Sequence, residues 1–180
     1  METEYVSAEQ LRSVTGTFPE YFYRYMKLVG EGNIIENLRE QKDEVISFLN
    51  SIDEDKWLYR YAEGKWTLKE VVQHLSDAER VFGYRALAFA RKDPASLPSF
   101  DENSYAANSD ANKRNANELV AEFEAVRRSS ILLFNSFSAE TMMNTGIASG
   151  KEISVMALAY ISVGHVAHHA KIISEKYLAE

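Results

Sequence analysis

The chain contains no cysteine, which excludes disulfides, cysteine-ligated zinc, iron–sulfur clusters and any cysteine nucleophile. If thiol chemistry takes place here, a ligand brings the thiol. Cations are in deficit as well: 20 Lys and Arg against 27 Asp and Glu leave a net charge of −7, and no basic cluster offsets it locally. Nucleic acid is therefore excluded as an expected partner, because phosphate binding depends on clustered cations that release counterions. Only three prolines occur, Pro19, Pro94 and Pro98, so little interrupts long helices. Long apolar runs are also missing. One uncharged stretch, residues 153–170, reaches about the minimum length of a membrane span, but it holds three histidines that lipid would penalise. It is expected to be a helix buried in protein, with no membrane partner. The start, METEYVSAEQLRSV, lacks the basic patch and apolar run of a secretory signal, and a cytoplasmic location is expected.

What is present suits one globular unit. The 180 residues, 46% of them apolar, match a single domain at roughly 150 residues per domain, with residues 1–32 expected as an N-terminal extension packed on it. Apolar residues then recur at three-to-four spacing in long segments. The first runs from Asn33, a candidate cap, to Leu49, with Ile34, Leu38 and Val45 on its stripe. Residues 50–66 break the period, and within them Trp57, Tyr59 and Tyr61 alternate as a short extended piece would. The second helix opens on a capping box, Thr67-Leu68-Lys69-Glu70, with Trp66 and Val71 as its hydrophobic staple, and stops near Arg91. A loop from Asp93 to Asn115 follows, of a length that usually serves function. Asn115 and Glu118 open a third helix that reaches Phe137. Another loop passes Gly146 and Gly150 before Ser154 caps a last helix to Leu178. No segment alternates strictly enough to predict a strand. The expected fold class is all-α, a four-helix bundle with long connecting loops.

All four histidines fall on two of these helices, His74 on the second and His165, His168 and His169 on the last. His165 and His169 are one turn apart and share a face with Leu158, Ile161, Ile172 and Lys176, the stripe that should point into the bundle. An unpaired buried imidazole costs about 1–3 kcal/mol, so the pair needs partners. A surface pair, a hydrogen-bonded core pair and a metal site all fit an isolated His-x-x-x-His. Spacing leaves open whether His74 meets the pair across a bundle groove.

Three stretches together carry a family likeness: Gly64-Lys65-Trp66-Thr67, His74-Leu75-Ser76-Asp77-Ala78-Glu79 and Gly164-His165-Val166-Ala167-His168-His169. In this order and separation, from about residue 34 to 177, the chain resembles the DinB-like (damage-inducible) metal-binding four-helix superfamily, nearest its bacillithiol-transferase-like branch. The resemblance implies three histidine ligands to a divalent metal, which fall here on His74, His165 and His169. His168 is left over, about 60° from His165 and 100° from His169 on the wheel, placed for the site's rim, a carboxylate partner or a subunit contact. The resemblance also implies a homodimer paired through helix faces.

Three neutral nitrogens leave a divalent ion its full charge and an open position, the arrangement of catalytic zinc; nickel and iron accept imidazole equally. A thiol or water held there loses its proton more readily, and a thiol starts from a pKa of only about 8.5. The expected function is a metal-dependent enzyme. It would be a transferase in which a low-molecular-weight thiol attacks an electrophilic small-molecule substrate, or a related hydrolase. The alternative is a non-catalytic, stress-associated metal-binding bundle that acts through dimerisation or partner binding. Asp77, three residues past His74, is the expected partner of that ring's second nitrogen, against a surface pair with Arg80 or Lys69. Glu70 has the reach but belongs to the capping box, and Glu79 is expected in solvent. Near the substrate, the candidates are Trp66, just before the histidine-bearing helix, and Asp101 and Tyr105, in the loop that the resemblance puts at the mouth of the site. Arg80 and Arg85 read as solvated surface residues, with a cofactor carboxylate as the other option.

Overall fold

Asn33 starts the first long helix by accepting from the backbone N–H of Ile35 at 2.8 Å, an N-cap that satisfies a group with no helical partner. Thr67 and Glu70 exchange bonds of 3.1 and 2.7 Å in the capping box. The Trp57 and Tyr59 carbonyls accept from Lys69 and Leu68, so this segment serves the helix start and forms no strand. Ser154 caps the last long helix by accepting from Ala157 at 3.0 Å. The computed structural model describes residues 7–179; residues 1–6 of the expected extension and residue 180 lie outside them. The elements are α1 (Ala8–Thr15), α2 (Tyr23–Met26), α3 (Ile34–Asn50), α4 (Leu68–Ala90), α5 (Glu102–Ala107), α6 (Ala116–Asn135), α7 (Ala139–Met142), β1 (Thr145–Ala148), β2 (Lys151–Ser154) and α8 (Val155–Ile172). A π-helical turn, Ile173–Tyr177, continues α8. No described helix is long and apolar enough to cross a membrane.

Helices α3, α4, α6 and α8 form a four-helix bundle. Around it the order is α3, α6, α4, α8, so α3 lies diagonally across from α4, and α6 from α8. Two apolar clusters fill the interior. One contains Leu38, Phe82, Phe134 and Leu158, and the other Leu49, Leu75, Phe123 and Val166. Each helix contributes to both, and the order in which it does so gives its direction: α3 and α8 run one way, α4 and α6 the other. Helices α4 and α6 are therefore neighbours pointing the same way. Residues 91–115 must climb back the full length of α4, roughly 35 Å for its 23 residues. That return explains the long loop, which also carries α5.

A polar layer separates the two clusters. Arg127 of α6, 0% exposed, donates from Nε and Nη2 to Glu79 of α4, from Nη1 to Gln41 of α3 at 2.8 Å, and from Nη2 to the Ser162 carbonyl of α8 at 3.2 Å. Gln41 in turn donates to the Val163 carbonyl at 2.9 Å. One guanidinium thus touches all three other helices. Glu79, expected in solvent, is 2% exposed, because the wheel shows which way a residue faces but not that Arg127 waits there.

The absence of strands is also corrected. Strands β1 and β2 form an antiparallel hairpin. Four residues each are too few to display alternation, and the turn Ser149-Gly150 has both φ values positive, 53° and 71°, as a tight two-residue turn requires. Gly146 is needed because a Cβ there would come within 2.0 Å of the Phe89 ring. The loop after α4 hooks onto this hairpin through Leu97 N to Ile147 O, 2.9 Å, and Ser149 N to Leu97 O, 3.0 Å.

Removing Arg127 leaves Glu79 charged and unpaired in the core. Arg127→Ala should lower the unfolding free energy by about 3–5 kcal/mol in a denaturant titration, whereas a loss no larger than the ~1 kcal/mol of a surface pair would contradict this picture.

Candidate metal centre

Helix α4 delivers His74 two turns past its capping box, and α8 delivers His165 and His169 one turn apart. The rings converge. Nε2 of His74 and Nε2 of His165 are 3.0 Å apart, and one ring nitrogen from each of His74, His165 and His169 lies within 4.8 Å of the others. Ring centroids are separated by 4.9, 5.0 and 4.6 Å. Two nitrogens held at 2.0–2.1 Å around a tetrahedral ion would be ~3.4 Å apart, so little movement brings the pair to that spacing.

Burial decides the protonation state. It lowers the His74 pKa to about 4 and, with His74 and His168 nearby, the His169 pKa to about 3. His165 is pushed well below its ordinary value by burial and then by its neighbouring histidines. All three present neutral nitrogens at pH 7. Among the described residues, their only hydrogen bond is the one between His74 and His165, so no carboxylate or carbonyl satisfies the cluster. Neutral, converging imidazoles with no described hydrogen-bond partner outside their own cluster fit the donor set of a divalent transition metal.

Aromatic rings wall the cluster. Trp66 lies 4.8 Å from the His74 ring, held by the Tyr177 hydroxyl, which donates to the Trp66 carbonyl at 2.8 Å from the π-helical turn. Tyr25 of α2 packs edge-on against His165 and His168, and Phe82 against His165. Gly164 makes the Tyr25 contact possible, since a Cβ there would meet the Tyr25 carbonyl oxygen at 2.1 Å. His168 is half-buried on the rim between the Tyr25 and His169 rings.

Two pockets reach the triad from different sides. One, of about 340 Å³, touches His74 and His165 and extends past Phe22, Tyr25, Phe82 and Phe100 to Arg85, Ser149 and Lys151. The other, of about 240 Å³, touches His169 and is lined by Trp66, Lys65, Asn103 and Tyr177. Helix α5 borders both, through Glu102 and Asn103.

Residues 37–173, more than half of the chain, match the family model of the DinB superfamily. The chain belongs to the DinB superfamily. Among solved structures, YfiT from Bacillus subtilis, described as "a probable metal-dependent hydrolase with an unusual four-helix bundle topology", is similar at a TM-score of 0.63 and 18% identity, over 97% of this chain and 90% of that one. At that identity the likeness carries the fold. No curated protein matches the chain.

In this DinB-superfamily bundle the remaining sequence candidates fall in different places. The Asp77 carboxylate accepts from Gln73 at 3.0 Å and Arg80 at 3.4 Å, and none of its hydrogen bonds reaches an imidazole. Glu70 stays at the cap, where it also accepts from Asn112. Asp101 spends its carboxylate capping α5, accepting from Asn103 and Ser104. Tyr105 is exposed against Phe100 and lines neither pocket, while Trp66 lines the second. Arg80 is bound outward by Asp77 and Glu122. Arg85, read as surface, is only 6% exposed and lines the first pocket. Its distance of eleven residues from His74, three turns on one face, is the signal that locates it. Tyr25 carries no comparable signal. Lys176, expected on the histidine face, is exposed, because the π-helical turn shifts the register after Ile172.

Chelator-treated protein should lose stability as pH falls. Above the ordinary value of 6.5 the rings are neutral whether folded or not; below it the unfolded chain takes up protons while folded His74 and His169 resist until about 4 and 3. The melting temperature should therefore drop between pH 7 and pH 5, before most carboxylates titrate, and His74→Gln should flatten the slope. A flat wild-type profile would contradict the depressed values.

Proposed function

We propose that this chain is a metal-dependent enzyme in which His74, His165 and His169 hold a divalent cation and a low-molecular-weight thiol attacks an electrophilic small molecule. The observation that carries this reading is the pair of separate pockets, one ending on His74 and His165 and the other on His169. A two-reactant transfer needs two approaches to one centre; hydrolysis needs only one besides water. When bound, a cation of the zinc, nickel or iron class lowers the pKa of a thiol or water at its open position.

The chain's own side chains supply the setting. Neutral imidazoles add no charge that would cancel the ion's. The Tyr25, Phe82 and Trp66 rings pack against the triad and replace part of its solvent, which strengthens charge interactions there. Burial raises the pKa of the Tyr25 hydroxyl, so Oη keeps its proton; the side chain lines the first pocket, and its hydroxyl lies 3.4 Å from that of Tyr21. Apolar walls at Phe22, Phe82 and Phe100 orient the body of a reactant along the pocket.

Hydrolysis is the second reading, favoured by the description of YfiT and requiring only that water replace the thiol. Protein purified without chelator should carry one divalent ion per chain, and His165→Ala should lose both the ion and thiol conjugation across a panel of electrophiles. Activity unchanged in His165→Ala would exclude the mechanism. Product formed without any thiol would assign hydrolysis.

A further inference from the structure

Arg85 is a buried cation without a counter-ion. It is 6% exposed, and no described carboxylate pairs with it. Its Nη2 donates to the Pro98 carbonyl at 2.9 Å and to the Ser149 hydroxyl at 3.2 Å, which ties the loop after α4 to the hairpin turn. Among the described residues Nε and Nη1 have no hydrogen-bond partner, and the side chain lines the first pocket. The charge is partly desolvated and its free donors meet solvent only where the pocket opens, so an anion bound there compensates it. With both Nη2 hydrogens engaged, Nε and Nη1, on opposite edges of the guanidinium, each offer a single charge-assisted donor to a small anion such as a carboxylate.

The surroundings favour the same ligand. Lys151, exposed on β2 and in no ion pair among the described residues, lines the same end of the pocket. Glu102 opposes them from α5, but it is exposed, so solvent and salt screen its charge far more than that of Arg85. Between Arg85 and the triad the walls are aromatic. His74 and Arg85 lie on one face of α4, eleven residues and roughly 16 Å apart along the axis.

We propose that Arg85, with Lys151, forms the anion-recognising end of the first pocket, so that the pocket takes a small organic carboxylate whose apolar body lies against Phe22 and Phe82 and whose far end meets the histidines. The identity of that far end as the reacting group rests on the function proposed above; carboxylate binding at Arg85 does not.

The test is calorimetric binding of 4-phenylbutanoate and of its neutral amide to the full-length, zinc-loaded protein. The acid should bind about tenfold more tightly than the amide, the worth of a charge-assisted hydrogen bond. Arg85→Gln should erase that preference. Lys151→Glu, a change on the exposed hairpin that does not threaten folding, should narrow it severalfold. His165→Ala should keep it, because the anion sits at the opposite end from the triad. Equal binding of acid and amide, no binding of either, or an undiminished preference in Lys151→Glu would overturn the proposal. So would a preference lost in His165→Ala and kept in Arg85→Gln, which would put the carboxylate on the metal. Failure of the reaction chemistry is read separately, from metal content and thiol conjugation.

Discussion

Arg127 sits where a helical bundle is normally driest, and its guanidinium reaches Glu79, Gln41 and the Ser162 carbonyl on three different helices. Apolar layers alone tolerate modest rotation of a helix about its axis, since one aliphatic contact replaces another at little cost. Directed hydrogen bonds to a buried charge do not. Glu79 fixes the rotation of α4 five residues after His74, and the carbonyls of Ser162 and Val163 fix α8 just before His165. The convergence of the imidazoles follows from that layer. The ion pair therefore matters more for which faces meet than for net stability, because a well-packed apolar replacement of the whole layer could be equally stable.

The direction of the helices supplies the rest. Neighbours α4 and α6 point the same way, so the chain between them has to travel back along the bundle. On the way it pairs with the hairpin at Leu97, lays α5 beside the two pockets, and anchors at Asn112, whose side chain bonds Thr67 and Glu70 at the start of α4. The segment that closes the topology also builds the pocket walls. The N-terminal residues do the same from the other side, where Gly164 lets Tyr25 press against α8.

Local chemistry made much of this legible from the sequence. The starts of α3, α4, α6 and α8 lie where Asn33, Thr67, Asn115 and Ser154 predict them, because caps and helical periodicity are short-range signals. The His165 and His169 pair could be read from spacing for the same reason. His74 needed family likeness, since nothing local says which helices adjoin. The burial of Arg127, Glu79 and Arg85 is not legible in the sequence, because a charged residue is ordinarily solvated and only partners or enclosing walls from distant segments reverse that expectation. Asp77 had the right spacing from His74, but Gln73 and Arg80 on its own helix engage it first.

Three neutral nitrogens from two helices converge closely enough to hold one cation, with aromatic rings packed against them and a pocket on either side. An anomalous-scattering map of zinc-soaked crystals tests it most directly. A single strong peak is expected ~2.0–2.1 Å from a nitrogen of each of His74, His165 and His169. A triad without a peak, or zinc bound elsewhere while the His74 and His165 rings keep their mutual hydrogen bond, would contradict it.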